Sequence, residues 1–145
     1  MERGEKIMST VIRPELSKSN KYHIDKHRYY ELKHFCLQYP VWKKTYLALG
    51  NSYISPAEMR VGRGSDISDH TGHDGMLRAY YREKMDLIEE TAADTDIYLK
   101  DYILKAVTEG LSYPYLQTKL QIPCSRDTYY DRYRKFFWLL NDSRD

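Results

Sequence analysis

Between Lys119 and Leu140 the chain reads KLQIPCSRDTYYDRYRKFFWLL, with Arg126, Arg132, Arg134 and Lys135 set among tyrosines. Guanidinium and ammonium groups on one helix neutralise phosphates. Arginine can also hold a guanine edge with two hydrogen bonds. Thr128 and Tyr130 add hydroxyls, and Asp131 adds an acceptor that pairs with cytosine or orients an arginine. With a helix beginning at Arg126 and capped by Ser125, Tyr129, Tyr133, Phe136 or Phe137, and Leu140 fall on its inward stripe. Arg126, Thr128, Tyr130, Asp131 and Arg134 are left outward. The expected DNA-binding set is therefore Lys119, Ser125, Arg126, Thr128, Tyr130, Asp131, Arg132, Arg134 and Lys135. Arg126 and Tyr130 are the expected base readers, and Arg134 a phosphate contact.

Three other groupings suggest chemistry. Asp69-His70-Thr71-Gly72-His73-Asp74 has zinc-type side chains, but its flexible loop setting offers no rigid third ligand. His23 and His27 stand four apart on an expected helix, without the glutamate of a metalloprotease motif. No metal and no cofactor are expected. Cys36 reads as a small buried apolar residue, while Cys124 precedes a helix N-terminus that would lower its pKa. No Ser-His-Asp order, glycine-rich phosphate loop or paired-carboxylate site is found, so the expected protein is not an enzyme.

The basic helix needs two more to position it. Leu99, Ile103, Ala106 and Val107 form an apolar stripe, with Thr95 as the expected cap and Gly110 ending the helix. Ser112 caps a short second helix with Pro114 in its first turn, and Leu116 and Leu120 are its buried face. Ile122 fills the turn and Pro123 stops the second helix. This is the order of a helix-turn-helix, whose last helix enters the major groove of DNA.

The pattern Gly110-Leu111-Ser112-Tyr113, Leu116, Leu120, Ile122, then Ser125 with Thr128 and Tyr129, resembles the C-terminal promoter-reading domain of bacterial sigma factors. Across residues 20–140 the chain is similar to bacteriophage transcriptional activators of the RinA and ArpU type, most specifically in its last third. Those proteins carry an N-terminal helical segment with a Tyr-Pro, matched here around Tyr39-Pro40. The resemblance implies a wingless three-helix DNA-binding unit and an activator of transcription. The stretch Ile122-Pro123-Cys124-Ser125 is longer than that family's usual turn, which would tilt or rotate the third helix.

The remaining chain reads as all-α. Residues 1–18 show no period and are expected to be a mobile arm. A helical hairpin is expected over residues 19–50. Its first helix starts at Ser19 or Asn20 and runs to Tyr39, and its second opens at Pro40 with Trp42, Tyr46 and Leu49 inward. Residues 51–74, rich in Gly, Ser and Asp, read as a linker. A middle helix is expected over 75–94, and the helix-turn-helix unit over 95–145.

At 145 residues the chain is one domain or two small ones. Net charge is only +2, but its distribution is uneven. Residues 1–65 hold 12 Lys and Arg against 6 Asp and Glu, residues 66–96 hold 3 against 9, and residues 116–136 hold 5 against 2. Positive charge thus concentrates on the second and third helices of the unit, and the acidic middle segment is a poor surface for a phosphate backbone. No apolar run of about 18 residues suggests a membrane span. Two cysteines far apart, with no secretory leader, fit free thiols in the cytoplasm. The expected partner is double-stranded DNA, with RNA polymerase or a second copy of the chain on the other helices. Two other roles use the same helices: a phage DNA-packaging recogniser of the small-terminase kind, and a helical protein-interaction adaptor that never touches DNA.

Overall fold

The computed structural model describes residues 18–50 and 65–144. These form six helices: α1 (Lys26–Leu37), α2 (Tyr39–Gly50), α3 (Ser65–Thr95), α4 (Lys100–Glu109), α5 (Tyr113–Lys119) and α6 (Arg126–Ser143). No strand occurs among the described residues, so the protein is all-α. The backbone divides into two compact units, Met1–Gln38 with Leu87–Asp145, and Tyr39–Asp86. The expected arm falls almost wholly outside the described residues.

In the larger unit α1 packs against α4 and α6. Leu32, Cys36, Ile88, Leu116, Phe136 and Leu140 are completely buried. The center is aromatic. Tyr29 meets Phe137 edge-on at 5.2 Å, and Tyr133 meets Phe137 at 5.0 Å. Burying two tyrosines side by side requires that their hydroxyls find partners. They find each other: the Tyr29 and Tyr133 hydroxyls lie 2.6 Å apart in the core. Buried threonines solve the same problem locally. Thr91, Thr95 and Thr108 each donate to a carbonyl four residues back, that of Leu87, Thr91 and Leu104 respectively.

Arg28 ties α1 to the end of the chain. Its Nε donates to Asn141 Oδ1 at 2.6 Å, and its guanidinium also reaches the Arg144 carbonyl and Glu31. Arg144 in turn lies 4.2 Å from the center of the Phe35 ring.

The smaller unit relies on cations over rings. Trp42 and Met85 are buried. The Arg78 guanidinium lies 4.2 Å from the Tyr46 ring center, and Lys84 lies 5.5 Å from Trp42 and 4.6 Å from Tyr80. In each case the charged group itself faces the ring, where the negative face of the π-system attracts it.

Several boundaries differ from expectation. The first helix begins at Lys26, not at Ser19 or Asn20. The Asn20 side chain accepts from Tyr22 N and its carbonyl from His23 N, which makes a turn there. Asp25 is the cap that starts the helix, accepting from His27 N. The helix ends at Leu37, before the expected Tyr39. Helix α3 begins at Ser65, so residues 65–74 are helical rather than linker, and residues 51–64 lie outside the described set. The Gly, Ser and Asp content of this stretch suggested a linker, but the single glycine within it, Gly72, costs a helix only about 1 kcal/mol. Thr95 does not cap α4, because its hydroxyl is spent on Thr91. Asp96 does that work in the preceding turn, accepting from Tyr98 N and Leu99 N.

The Tyr29–Tyr133 bond predicts a coupled response. Tyr29→Phe should lower unfolding free energy by about 1–2 kcal/mol, because it strands a buried hydroxyl. The Tyr29→Phe/Tyr133→Phe pair should lose less than the sum of the two single losses, as measured by urea denaturation.

Candidate nucleic-acid interface

Helices α4, α5 and α6 follow each other with the caps that the residues require. Gly110 ends α4 at φ 70, and Leu111 N donates back to the Ala106 carbonyl. Ser112 Oγ accepts from Tyr115 N to start α5. Ser125 Oγ accepts from Thr128 N at 3.2 Å to start α6. Pro114 sits in the first turn of α5. Between α5 and α6, Gln121 takes φ 55, a left-handed angle usually left to glycine. This lets Ile122 N return to the Leu116 carbonyl at 3.0 Å and turns the Ile122 side chain into the core. Tyr113 closes the turn from the other side, donating its hydroxyl to the Cys124 carbonyl at 2.7 Å.

On α6 the inward stripe of Tyr129, Tyr133 and Leu140 is as expected, and Phe136 and Phe137 are both buried. Tyr130 departs from expectation: it is buried, not outward. Its ring packs on Tyr113 at 6.4 Å, Tyr129 at 5.2 Å and Tyr133 at 6.3 Å. The apolar stripe of this helix is wider than a spacing of three and four implies, because α5 lies over the first turn of α6 and adds a wall. The Arg126 guanidinium lies 5.6 Å from the Tyr130 ring center. Tyr130 is therefore a support for Arg126 rather than a free base reader. Burial raises the Tyr130 hydroxyl above its usual pKa against the opposing pull of Arg126.

The basic residues fall into two groups. Arg132 is bound: its Nε meets Asp96 Oδ2 at 2.9 Å and its Nη1 meets Asp131 Oδ2 at 2.6 Å. The same pairing means that Asp131, expected to face freely outward, is instead neutralised by Arg132. Ser125 and Thr128 are occupied with each other, their hydroxyl oxygens 3.1 Å apart. Lys119 and Arg126 are exposed, and Arg134 and Lys135 are half-buried. The Arg134 Nε is sealed from solvent and makes no hydrogen bond. Arg126, Asp127, Tyr130 and Arg134 line one shallow cleft of about 340 Å³. Tyr113, Pro114, Gln117, Ser125 and Arg126 line another of about 460 Å³. Arg126 thus stands on the ridge between them.

Gln117 was not among the expected site residues, yet it is exposed on α5 and shares a cleft with Arg126. The signal for it was present: burial of Leu116 and Leu120 leaves position 117 outward, and glutamine is a natural reader of adenine. Leu120 itself is only half-buried.

The other chemical groupings fare differently. Burial raises the Cys124 thiol, Asp96 adds to the effect and Arg132 opposes it, so the expected lowering by the helix N-terminus is overturned. Cys36 is buried and its thiol is pushed far up by that burial. His23 precedes α1 and does not share a helix face with His27. Among the described residues no three His, Cys, Asp or Glu side chains group to hold a metal, and the side chains of Asp69 and His70 lie outside that set. Also among the described residues, no helix is long and apolar enough to cross a membrane. Comparison with protein-family models, curated proteins and solved structures finds no match.

Two outcomes follow from the turn and the ion pair. Gln121→Gly should raise unfolding free energy by about 0.5–1 kcal/mol, since it relieves a left-handed angle. Asp96 is drawn upward by burial, but the Arg132 hydrogen bond and the Tyr98 and Leu99 N–H groups outweigh this and hold its pKa below the usual value. A carboxylate with a lower pKa in the folded chain gives stability that is complete above about pH 4. That stability is lost as pH falls through the depressed value. Asp96→Asn should flatten the acid limb of a stability–pH profile, measured by denaturation at stepped pH.

Proposed function

We propose that this chain is a sequence-specific double-stranded-DNA-binding regulator of transcription, similar in kind to phage-encoded activators. In this reading α6 enters the major groove and α5 lies across the backbone. RNA polymerase or a second copy of the chain meets the remaining helices. The observation that carries the reading is the ridge at Arg126. An exposed guanidinium rests on a buried tyrosine at the first turn of a capped helix, between two shallow clefts, with Arg134 two turns on. Arginine held by a rigid ring loses less freedom on binding a base edge or phosphate. Arg126 and Gln117 are the base readers in this account. Lys119, Arg134 and Lys135 are phosphate contacts, and Ser125 and Thr128, bonded to each other, hold the first turn of α6 in place. Arg132 and Asp131 act indirectly, holding α6 to Asp96.

Binding of a duplex should then weaken steeply with salt, each neutralised phosphate contributing about −0.9 to the log–log slope. Arg134→Ala should reduce that slope by about 1 and weaken cognate and random duplexes alike. Arg126→Ala should instead narrow the gap between cognate and random duplexes, by about 1–3 kcal/mol, in a protein that stays folded. Fluorescence anisotropy across a salt series measures all three. A flat salt response, or no binding at low salt, refutes the reading.

A further inference from the structure

Within the larger unit a cavity of about 370 Å³ opens among α1, α4, α5 and α6. Tyr129, Tyr130 and Phe137 line it from α6, Val107 from α4, and Leu37 and Lys33 from α1. Its size falls in the range of small-molecule sites, roughly 300–1,000 Å³, and such sites combine apolar walls with a few polar groups. Two polar groups stand out here. Lys33 has no carboxylate partner among the described residues, and its ammonium lies 5.9 Å from the Tyr30 ring center. Tyr129 is only 2% exposed, and its hydroxyl makes no hydrogen bond among the described residues.

We propose that this cavity is a binding site for a planar aromatic carboxylate of one or two rings. The aromatic walls take ring edges and faces. The two polar groups are a cation and a hydroxyl donor, and a carboxylate accepts from both. An amine would meet Lys33 with like charge, and a neutral ring would leave it unpaired. Burial raises the Tyr129 pKa far above its usual value, so the hydroxyl stays protonated as a donor. Tyr130 walls both this cavity and the Arg126–Arg134 cleft. An occupant would therefore touch the ring on which Arg126 rests. The site itself does not depend on the DNA reading, because it is tested on the free protein.

The experiment is calorimetric titration of the full chain with 2-naphthoate, and with 2-naphthalenemethanol as the neutral counterpart. The expected result is saturable one-to-one binding of 2-naphthoate, with amide shifts in nuclear magnetic resonance centered on Val107, Gly110 and Tyr129. Lys33→Gln should weaken 2-naphthoate about tenfold and leave the alcohol nearly unchanged. Tyr129→Phe should weaken both. If Tyr129→Phe does not fold, Lys33→Gln at its half-exposed position decides alone. Absence of saturable binding at millimolar ligand overturns the proposal. So does equal weakening of acid and alcohol by Lys33→Gln, or amide shifts centered elsewhere.

Discussion

The larger unit depends on how two tyrosine hydroxyls are disposed of in its core. Tyr29 on α1 and Tyr133 on α6 are both buried, and each is the other's hydrogen-bond partner at 2.6 Å. An apolar seam between two helices tolerates rotation and slippage, because hydrophobic burial has no direction. A single buried hydroxyl pair does not, since a small rotation leaves two polar groups unsatisfied. The pair thus fixes the phase of α6 about its own axis. Arg28, reaching Asn141 and the Arg144 carbonyl, fixes the other end of the helix. With phase and axis set, the outward residues of α6 have determined positions.

A second constraint sits at the first turns of α6. Tyr113, Tyr129 and Tyr130 form a cluster that joins α5 to α6. The Tyr113 hydroxyl holds the intervening turn through the Cys124 carbonyl. Arg126 is carried on top of that cluster. Lower on α6, the Asp96–Arg132–Asp131 chain spends charge on holding the helix to the turn before α4. The same helix therefore divides its arginines between architecture and the surface that we assign to DNA. Such a division explains why counting basic residues overstates the number available to phosphates.

Much of the last third was legible in the sequence because its signals are local. Gly110, Ser112, Pro114 and Ser125 each act through backbone geometry within a few residues, and all four take the expected roles. The burial of Leu116, Tyr129, Tyr133 and Phe136 follows from helical spacing, and that of Ile122 from its place inside the turn. What spacing could not show is depth across the helix. Tyr130 lies one position from the stripe and is buried against Tyr113 of α5 as well as Tyr129 and Tyr133 of its own helix. The pairing of Arg132 with Asp96 spans 36 residues, and no local pattern announces it. The helical state of residues 65–74 was hidden by a polar composition rich in Ser and Asp with no apolar period, although its one glycine, Gly72, costs little. Gln121 was missed for the opposite reason: its left-handed angle is imposed by Ile122 turning inward, not by its own preference.

The central claim is that one face of α6, together with the outward side of α5, meets duplex DNA while the tyrosine core stays closed. Amide and guanidinium shift mapping by nuclear magnetic resonance, with a bound duplex added stepwise, tests it most directly. The account predicts large changes at Gln117, Lys119, Ser125, Arg126, Arg134 and Lys135. It predicts small ones at Leu32, Cys36 and Leu140, with the Arg132 guanidinium still paired to Asp96. Changes confined to α1 or α2, or a loss of dispersion throughout the aromatic core, would contradict it.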